Sequence, residues 1–319
     1  MPYWRSSRTG LPAGPRLFSR RLAAAALAAS ALMAQPKPRD RYAEVNGVKL
    51  HYVEQGAKGS VILFLHGFPE FWYAWKDMLA EFSKDYRAIA PDMRGYNLSS
   101  RPDAVEQYRM PVLVEDVRAL AEKLGAKKFT LVGHDWGGVV AWAFAAEHPE
   151  MLDYLIVINA PHPTVFAREL ANNPDQQKAS AYFNLFTSDK AEATLGQNDF
   201  QPLQGMIKGW ASEADRREYL ACWKRGITGG LNYYRAAGLR SPVEGQAASP
   251  PAVTPLKPIT VPTMVIWGEK DTALLTGNLD GLGECVKELT IKRIQDGSHW
   301  VVHEKPGLMI GYIRDFIRP

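Results

Sequence analysis

The sequence predicts an α/β fold, a mostly parallel central sheet flanked by helices and interrupted by a helical insertion. Short apolar runs alternate with stretches of helical spacing along most of the chain. That alternation builds a parallel sheet covered on both faces. It stops at Pro161 and resumes at Thr263, which places an inserted segment between the sixth and seventh major strands. The two cysteines, Cys222 and Cys285, lie far apart and outside any Cys-x-x-Cys spacing. No disulfide framework or zinc site is expected, and a chain of 319 residues can bury its core without either.

In chain order, Tyr42–Val45 and Val48–Val53 flank Asn46-Gly47, a two-residue hairpin signal. Val61–Leu65 is apolar throughout, the mark of a strand buried on both faces. Phe71–Phe82 reads as a helix, with Trp72, Trp75, Met78, Leu79 and Phe82 at helical spacing. Strand Arg87–Ala90, helix Val112–Leu124 and strand Phe129–Val132 follow, then helix Val139–Glu147 and strand Tyr154–Ile158. Residues 162–241 read as a helical cap rich in Tyr, Trp and Gly, and 242–262 as a Pro-rich linker. Strands Thr263–Trp267 and Thr290–Ile294 and a helix around Gly307–Ile317 complete the second part of the core, 263–319, the first part being 40–161.

The net charge of +4 is local in origin. Residues 1–39 carry seven basic side chains and no acidic one; without those seven, 31 basic face 34 acidic residues, a net of −3. No basic surface argues for nucleic acid. Ser19-Arg20-Arg21, the small apolar run Leu22–Met33 and Ala29-Ser30-Ala31 form the pattern of a secretory signal, with a twin arginine. Residues 1–39 are therefore expected to be a signal or targeting leader of a periplasmic or secreted protein. A cytoplasmic or organellar protein is the alternative. No stable membrane span is expected.

Gly133-His134-Asp135-Trp136-Gly137 lies where a buried strand meets a helix. Small residues on either side of the central position allow a sharp turn that lifts the central side chain above the sheet. Alone, Asp135 reads as a helix N-cap. In this turn it reads as a nucleophile: a carboxylate of ordinary pKa, about 4, is ionised at neutral pH and attacks an sp³ carbon without a base. The ester so formed needs an activated water. His299, in Gly297-Ser298-His299-Trp300, is the candidate base, and Asp271, in Trp267-Gly268-Glu269-Lys270-Asp271, the carboxylate that orients it. Each follows a strand, at the edge where open α/β sheets place their sites. The backbone amides of Phe68, in His66-Gly67-Phe68-Pro69, and of Trp136 are the candidate oxyanion donors.

These stretches resemble the epoxide hydrolase branch of the α/β-hydrolase superfamily. The resemblance runs from about residue 42 to 317, through HGFPEFWYAW (66–75), PDMRGYNLSS (91–100), GHDWGG (133–138), VINAPHP (157–163), WGEKD (267–271) and GSHW (297–300). It implies the α/β-hydrolase fold, an epoxide and water as the only partners in the reaction, a vicinal diol as product, and no cofactor or metal. It also implies two cap tyrosines that hydrogen-bond the epoxide oxygen: Tyr182, in Ala181-Tyr182-Phe183, and Tyr234, in Gly230-Leu231-Asn232-Tyr233-Tyr234-Arg235. Opening an epoxide develops an alkoxide, and a phenol of pKa about 10 donates to it while remaining neutral at pH 7.

A haloalkane or haloacetate dehalogenase with the same three residues is the alternative reading. Against it, Phe68 stands where some haloalkane dehalogenases carry a halide-binding Asn, and Trp136 where haloacetate dehalogenases often carry Arg. A non-catalytic ligand-binding relative is the alternative of another class. Oligomeric state is left open.

Overall fold

The computed structural model describes residues 36–241 and 256–318. Nearly all of the predicted leader and most of the Pro-rich linker lie outside them. Eight strands form one sheet: β1 (Arg39–Val45), β2 (Val48–Gln55), β3 (Val61–Leu65), β4 (Arg87–Pro91), β5 (Phe129–His134), β6 (Leu152–Ile158), β7 (Thr263–Gly268) and β8 (Leu289–Ile294). Their order is β1-β2-β4-β3-β5-β6-β7-β8. The β1–β2 hairpin and the β2–β4 pair are antiparallel, and every other pair is parallel. This is the mostly parallel α/β sheet, with helices inserted between β6 and β7, expected from the sequence.

The apolar strands bury both faces by simple alternation. Leu63, Leu65, Leu131, Leu155, Val157 and Val265 enter one core, beneath helices α2 (Met110–Lys123) and α3 (Trp136–Glu147). Ile62, Phe64, Val132, Ile156, Ile158 and Ile266 enter the other, against α1 (Lys76–Phe82). Between β6 and β7, and before the undescribed stretch, seven helices follow one another. They are α4 (Pro163–Asn172), α5 (Pro174–Ala179), α6 (Tyr182–Phe186), α7 (Ala191–Leu195), α8 (Gln197–Ile207), α9 (Glu213–Trp223) and α10 (Thr228–Ala236). After β7 come α11 (Leu282–Cys285), α12 (Val301–Glu304) and α13 (Pro306–Phe316). Among the described residues, no helix is long and apolar enough to cross a membrane.

Three boundaries differ from the sequence reading. β1 begins at Arg39, inside the predicted leader, because Arg39 and Asp40 pair with Glu54 and Val53 across the hairpin. The helix read from Phe71 begins as a 3₁₀ turn, Trp72–Trp75, and becomes α-helical only at Lys76. The Trp72 amide there is held by the Asp92 carboxylate at 3.0 Å, a long-range bond that local spacing cannot reveal. α3 starts at Trp136, directly after the turn at Asp135.

A buried ion pair fastens the hairpin to the rest of the core. The Arg94 side chain is fully buried and makes paired hydrogen bonds to Asp116, Nε to Oδ2 at 2.7 Å and Nη2 to Oδ1 at 2.6 Å. Arg94 also donates to the Asn46 carbonyl in the β1–β2 turn, and Asn46 donates to Asp116 at 2.8 Å. Tyr233 of α10 donates to the Arg94 carbonyl at 2.9 Å, joining the inserted helices to the same point. Removing one partner strands the other charge without water. Asp116→Ala is expected to destabilise the fold by about 3–5 kcal/mol in urea unfolding; a loss of under about 1 kcal/mol would mean the pair is merely a surface-type contact.

Candidate active site

The parallel register brings the carboxyl ends of β3, β5 and β6 side by side, with Leu65 opposite Gly133 and His134 opposite Ile158. Asp135 follows β5 with φ 50° and ψ −123°, a conformation L residues rarely adopt. The turn closes because its neighbours are glycine: a Cβ on Gly137 would lie 2.2 Å from the Leu65 carbonyl oxygen. On the β3 side, a Cβ on Gly67 would lie 2.3 Å from Asp135 Oδ1. With that space free, the Phe68 amide donates to Asp135 Oδ1 at 2.7 Å. The Phe68–Pro69 peptide is cis.

His299 reaches Asp135 from the end of β8. Its Nε2 stands 3.8 Å from Asp135 Oδ2, and its Nδ1 2.7 Å from Asp271 Oδ2. Asp271 is buried and saturated with donors. The Ala273 and Leu274 amides each donate to Oδ1 at 2.9 Å, and Asn159 Nδ2 donates to Oδ2 at 2.8 Å. Burial would raise the Asp271 carboxyl; His299 and these amides hold it below its ordinary value. For His299, burial favours the neutral ring, but Asp271 first and then Asp135 and Glu70 outweigh it and raise the imidazole to about 9. These charges favour the protonated imidazole, which stands between Asp271 and Asp135.

Tyr182 opens α6 and Tyr234 lies in α10, and both line one cavity together with Asp135 and Trp136. The cavity measures about 540 Å³, within the usual range for small-molecule sites. The Tyr182 and Tyr234 rings meet edge to face at 6.2 Å, and Tyr234 packs against Trp136 at 5.0 Å. Burial raises both phenols well above 10, and the Asp135 charge raises them further. Both remain donors across the physiological range. All seven residues named from the sequence therefore fall in one place: Asp135, Asp271, His299, Tyr182, Tyr234, Phe68 and Trp136.

Three further residues support this arrangement and had no role in the sequence reading. Asn159, with φ 39°, bonds the Gly268 amide and the Asp271 carboxylate, so it fixes the β7 end against the β6 end. His134, beside Asp135, faces the His299 carbonyl at 2.9 Å with Nε2 and Glu70 Oε2 at 3.0 Å with Nδ1. Glu70 is 1% exposed and receives Tyr219 at 2.9 Å and faces His303 at 2.5 Å. Burial would raise the Glu70 carboxyl, yet His303 and His134 hold it well below the ordinary range. Asn159, His134 and Glu70 lie inside the quoted stretches VINAPHP, GHDWGG and HGFPEFWYAW. Nothing in their spacing announced that the fold would join them.

Residues 60–306 match the family model described as alpha/beta hydrolase fold. Epoxide hydrolase 2 of Caenorhabditis elegans is 34% identical over 291 residues, which cover 87% of this chain and 79% of that protein. Epoxide hydrolase 3 of Xenopus tropicalis is 35% identical over 288 residues, covering 86% and 76%. The crystal structure of a Bacillus megaterium epoxide hydrolase in complex with an inhibitor superimposes with a TM-score of 0.81 at 37% identity, covering 87% of this chain and 99% of that one.

The raised titration of His299 is attributable to its carboxylate neighbours, and that is open to measurement. In Asp271→Asn, the imidazole should titrate well below 9, toward or under the ordinary 6.5, as followed by proton NMR of the ring. An unchanged titration would remove Asp271 as the orienting charge.

Proposed function

The chain belongs to the α/β-hydrolase family and, within it, to the epoxide hydrolases, and we propose that it opens the epoxide through a covalent ester on Asp135. The observation that carries this reading is a carboxylate and two neutral phenols lining one cavity, with an imidazole–carboxylate pair beside the carboxylate. In the first step Asp135 Oδ2 attacks a ring carbon and the carbon–oxygen bond of the epoxide breaks. Tyr182 and Tyr234 donate to the oxygen as it becomes an alkoxide, where fixed donors stabilise developing charge best.

The second step uses the first to set its own base. Alkylation removes the Asp135 charge, one of the charges that hold the proton on His299. The imidazole pKa falls, and the proton it releases balances the one taken by the alkoxide. Neutral His299 then accepts a proton from water through Nε2, with its tautomer set by Asp271 at Nδ1. The hydroxide equivalent adds to the ester carbonyl. Phe68 already holds Asp135 Oδ1, the oxygen that becomes the oxyanion, and the Trp136 amide is its proposed second donor. Collapse of the tetrahedral intermediate releases a vicinal diol and restores the carboxylate. The helices from α4 to α10 act in this reading as the cap that brings the phenols over the carboxylate.

His299→Gln tests the two-step course. With styrene oxide it is expected to gain a mass equal to that of the epoxide, located on the peptide carrying Asp135, while the parent protein yields diol. Diol formation without any adduct would overturn the ester, and halide release from a bromoalkane in place of diol would move the protein to the dehalogenases.

The pH dependence follows from the same charges. Hydrolysis needs neutral His299, so the ester lasts longer as the pH falls through the imidazole pKa of the alkylated state. Alkylation needs no neutral imidazole and is favoured by protonated phenols, so acid slows hydrolysis more. Rapid acid quench and intact-mass measurement should find more steady-state ester at about pH 5 than at about pH 8. A smaller ester fraction at the acid pH would show that His299 is not the base.

A further inference from the structure

α10 begins against its own local preference. It opens Thr228-Gly229-Gly230, although glycine is the poorest helix former after proline. Neither glycine adopts a positive φ, so the backbone there would accept an L side chain. The requirement comes from outside the helix. Gly229 lies backbone to backbone on Gly95, and a Cβ on it would stand 2.2 Å from the Gly95 carbonyl oxygen, where ordinary contact begins at 3.4 Å. A Cβ on Gly230 would stand 2.8 Å from the Phe68 ring and 2.9 Å from the Tyr96 ring.

The loop beneath is poorly placed to yield. Arg94 is fixed by its paired bonds to Asp116. Gly95, at φ 89°, donates to the Ser100 carbonyl at 2.9 Å. Tyr96 sits between His66 and Tyr233, with ring centroids at 4.7 and 5.4 Å. Tyr233 adds a third point of attachment through its bond to the Arg94 carbonyl. Tyr234 then lies five residues beyond Gly229, about 7.5 Å along the same helix. Its ring meets Phe68 at 5.6 Å and Trp136 at 5.0 Å, beside Asp135.

Helix packing by itself asks for no such closeness. Alanines at 229 and 230 would give a better helix, seated about 1 Å further out. A hydrogen bond to a developing alkoxide does ask for it, because a displacement of about 1 Å can cost on the order of a hundredfold in rate. Resting on the reading of Tyr234 as a donor above, we infer that Gly229 is a positioning residue for ring opening: its contact with Gly95 sets how closely Tyr234 approaches the epoxide at Asp135. Gly230 and Tyr233 complete the same seat. Asp271 and His299 follow β7 and β8 and do not depend on it.

The test follows a single turnover of styrene oxide with enzyme in excess, where rapid quench reads ring opening as loss of epoxide and ester hydrolysis as release of diol. In Gly229→Ala, ring opening should slow tenfold or more while hydrolysis stays within about threefold of the parent. Added to Tyr234→Phe, the same substitution should slow ring opening by less than about twofold further, because the group it displaces is already gone. Tyr233→Phe removes one attachment without adding an atom; it should give the same pattern with a smaller loss, and it serves if Gly229→Ala fails to fold. Equal slowing of both steps would overturn the inference and leave Gly229 a general packing residue. So would losses that multiply in the double variant, or ring opening within twofold of the parent in a folded Gly229→Ala. A parent protein that consumes no epoxide, or a Tyr234→Phe variant that opens it at the parent rate, would instead overturn the reading of the reaction, before Gly229 is touched.

Discussion

The closure of the chain around Asp135 is the constraint on which the rest of the site depends. A strand running directly into a helix must reverse within one residue, and the turn forces φ to 50° there. Such a conformation costs of order 1–3 kcal/mol for a residue with a side chain. It survives because backbone packs against backbone on both flanks, at Gly137 against Leu65 and at Gly133 against Gly137. The result is a carboxylate lifted to the carboxyl edge of the sheet, where the Phe68 amide meets it from β3 and His299 from β8.

Around that point the charges are arranged in sequence, each making the next tenable. Asp271 is buried, yet three donors and an imidazole compensate its charge. Asp271 and Asp135 in turn favour the protonated form of His299. In the proposed mechanism, loss of the Asp135 charge on ester formation would weaken that preference when a base is required. The phenols respond to the same charge in the opposite sense: the nearer the carboxylate, the more firmly Tyr182 and Tyr234 remain neutral donors. Behind the site, Glu70 plays a comparable structural part. It gathers His134, His303 and Tyr219, one from the end of β5, one from α12 and one from α9.

The inserted helices contribute more than two phenols. Tyr233 and Tyr234 are adjacent in α10 and point to different tasks, one tied to the Arg94 carbonyl and the other lining the cavity. This division is possible because α10 packs its residues 229–234 on several sides at once. A helix held by Tyr233 presents Tyr234 from a fixed base, as its proposed donation to an alkoxide would require.

Much of this was open to reading in the sequence, because strands buried on both faces are apolar without interruption and turns of this sharpness demand small residues. Val61–Leu65, Gly133–Gly137, and the placement of Asp271 and His299 after successive strands carried the fold and the candidate triad. The cap tyrosines came only through resemblance, since an aromatic residue in a helical segment looks the same whether it packs or donates. Asn159, Glu70 and His134 went unassigned for a related reason. A polar residue becomes a support only through partners distant in the chain, such as Asn159 with Asp271 or Glu70 with His303. Local sequence determined where the chain turns and which faces are apolar, because those follow from backbone sterics and side-chain period. Which charges meet depended on packing across the whole fold.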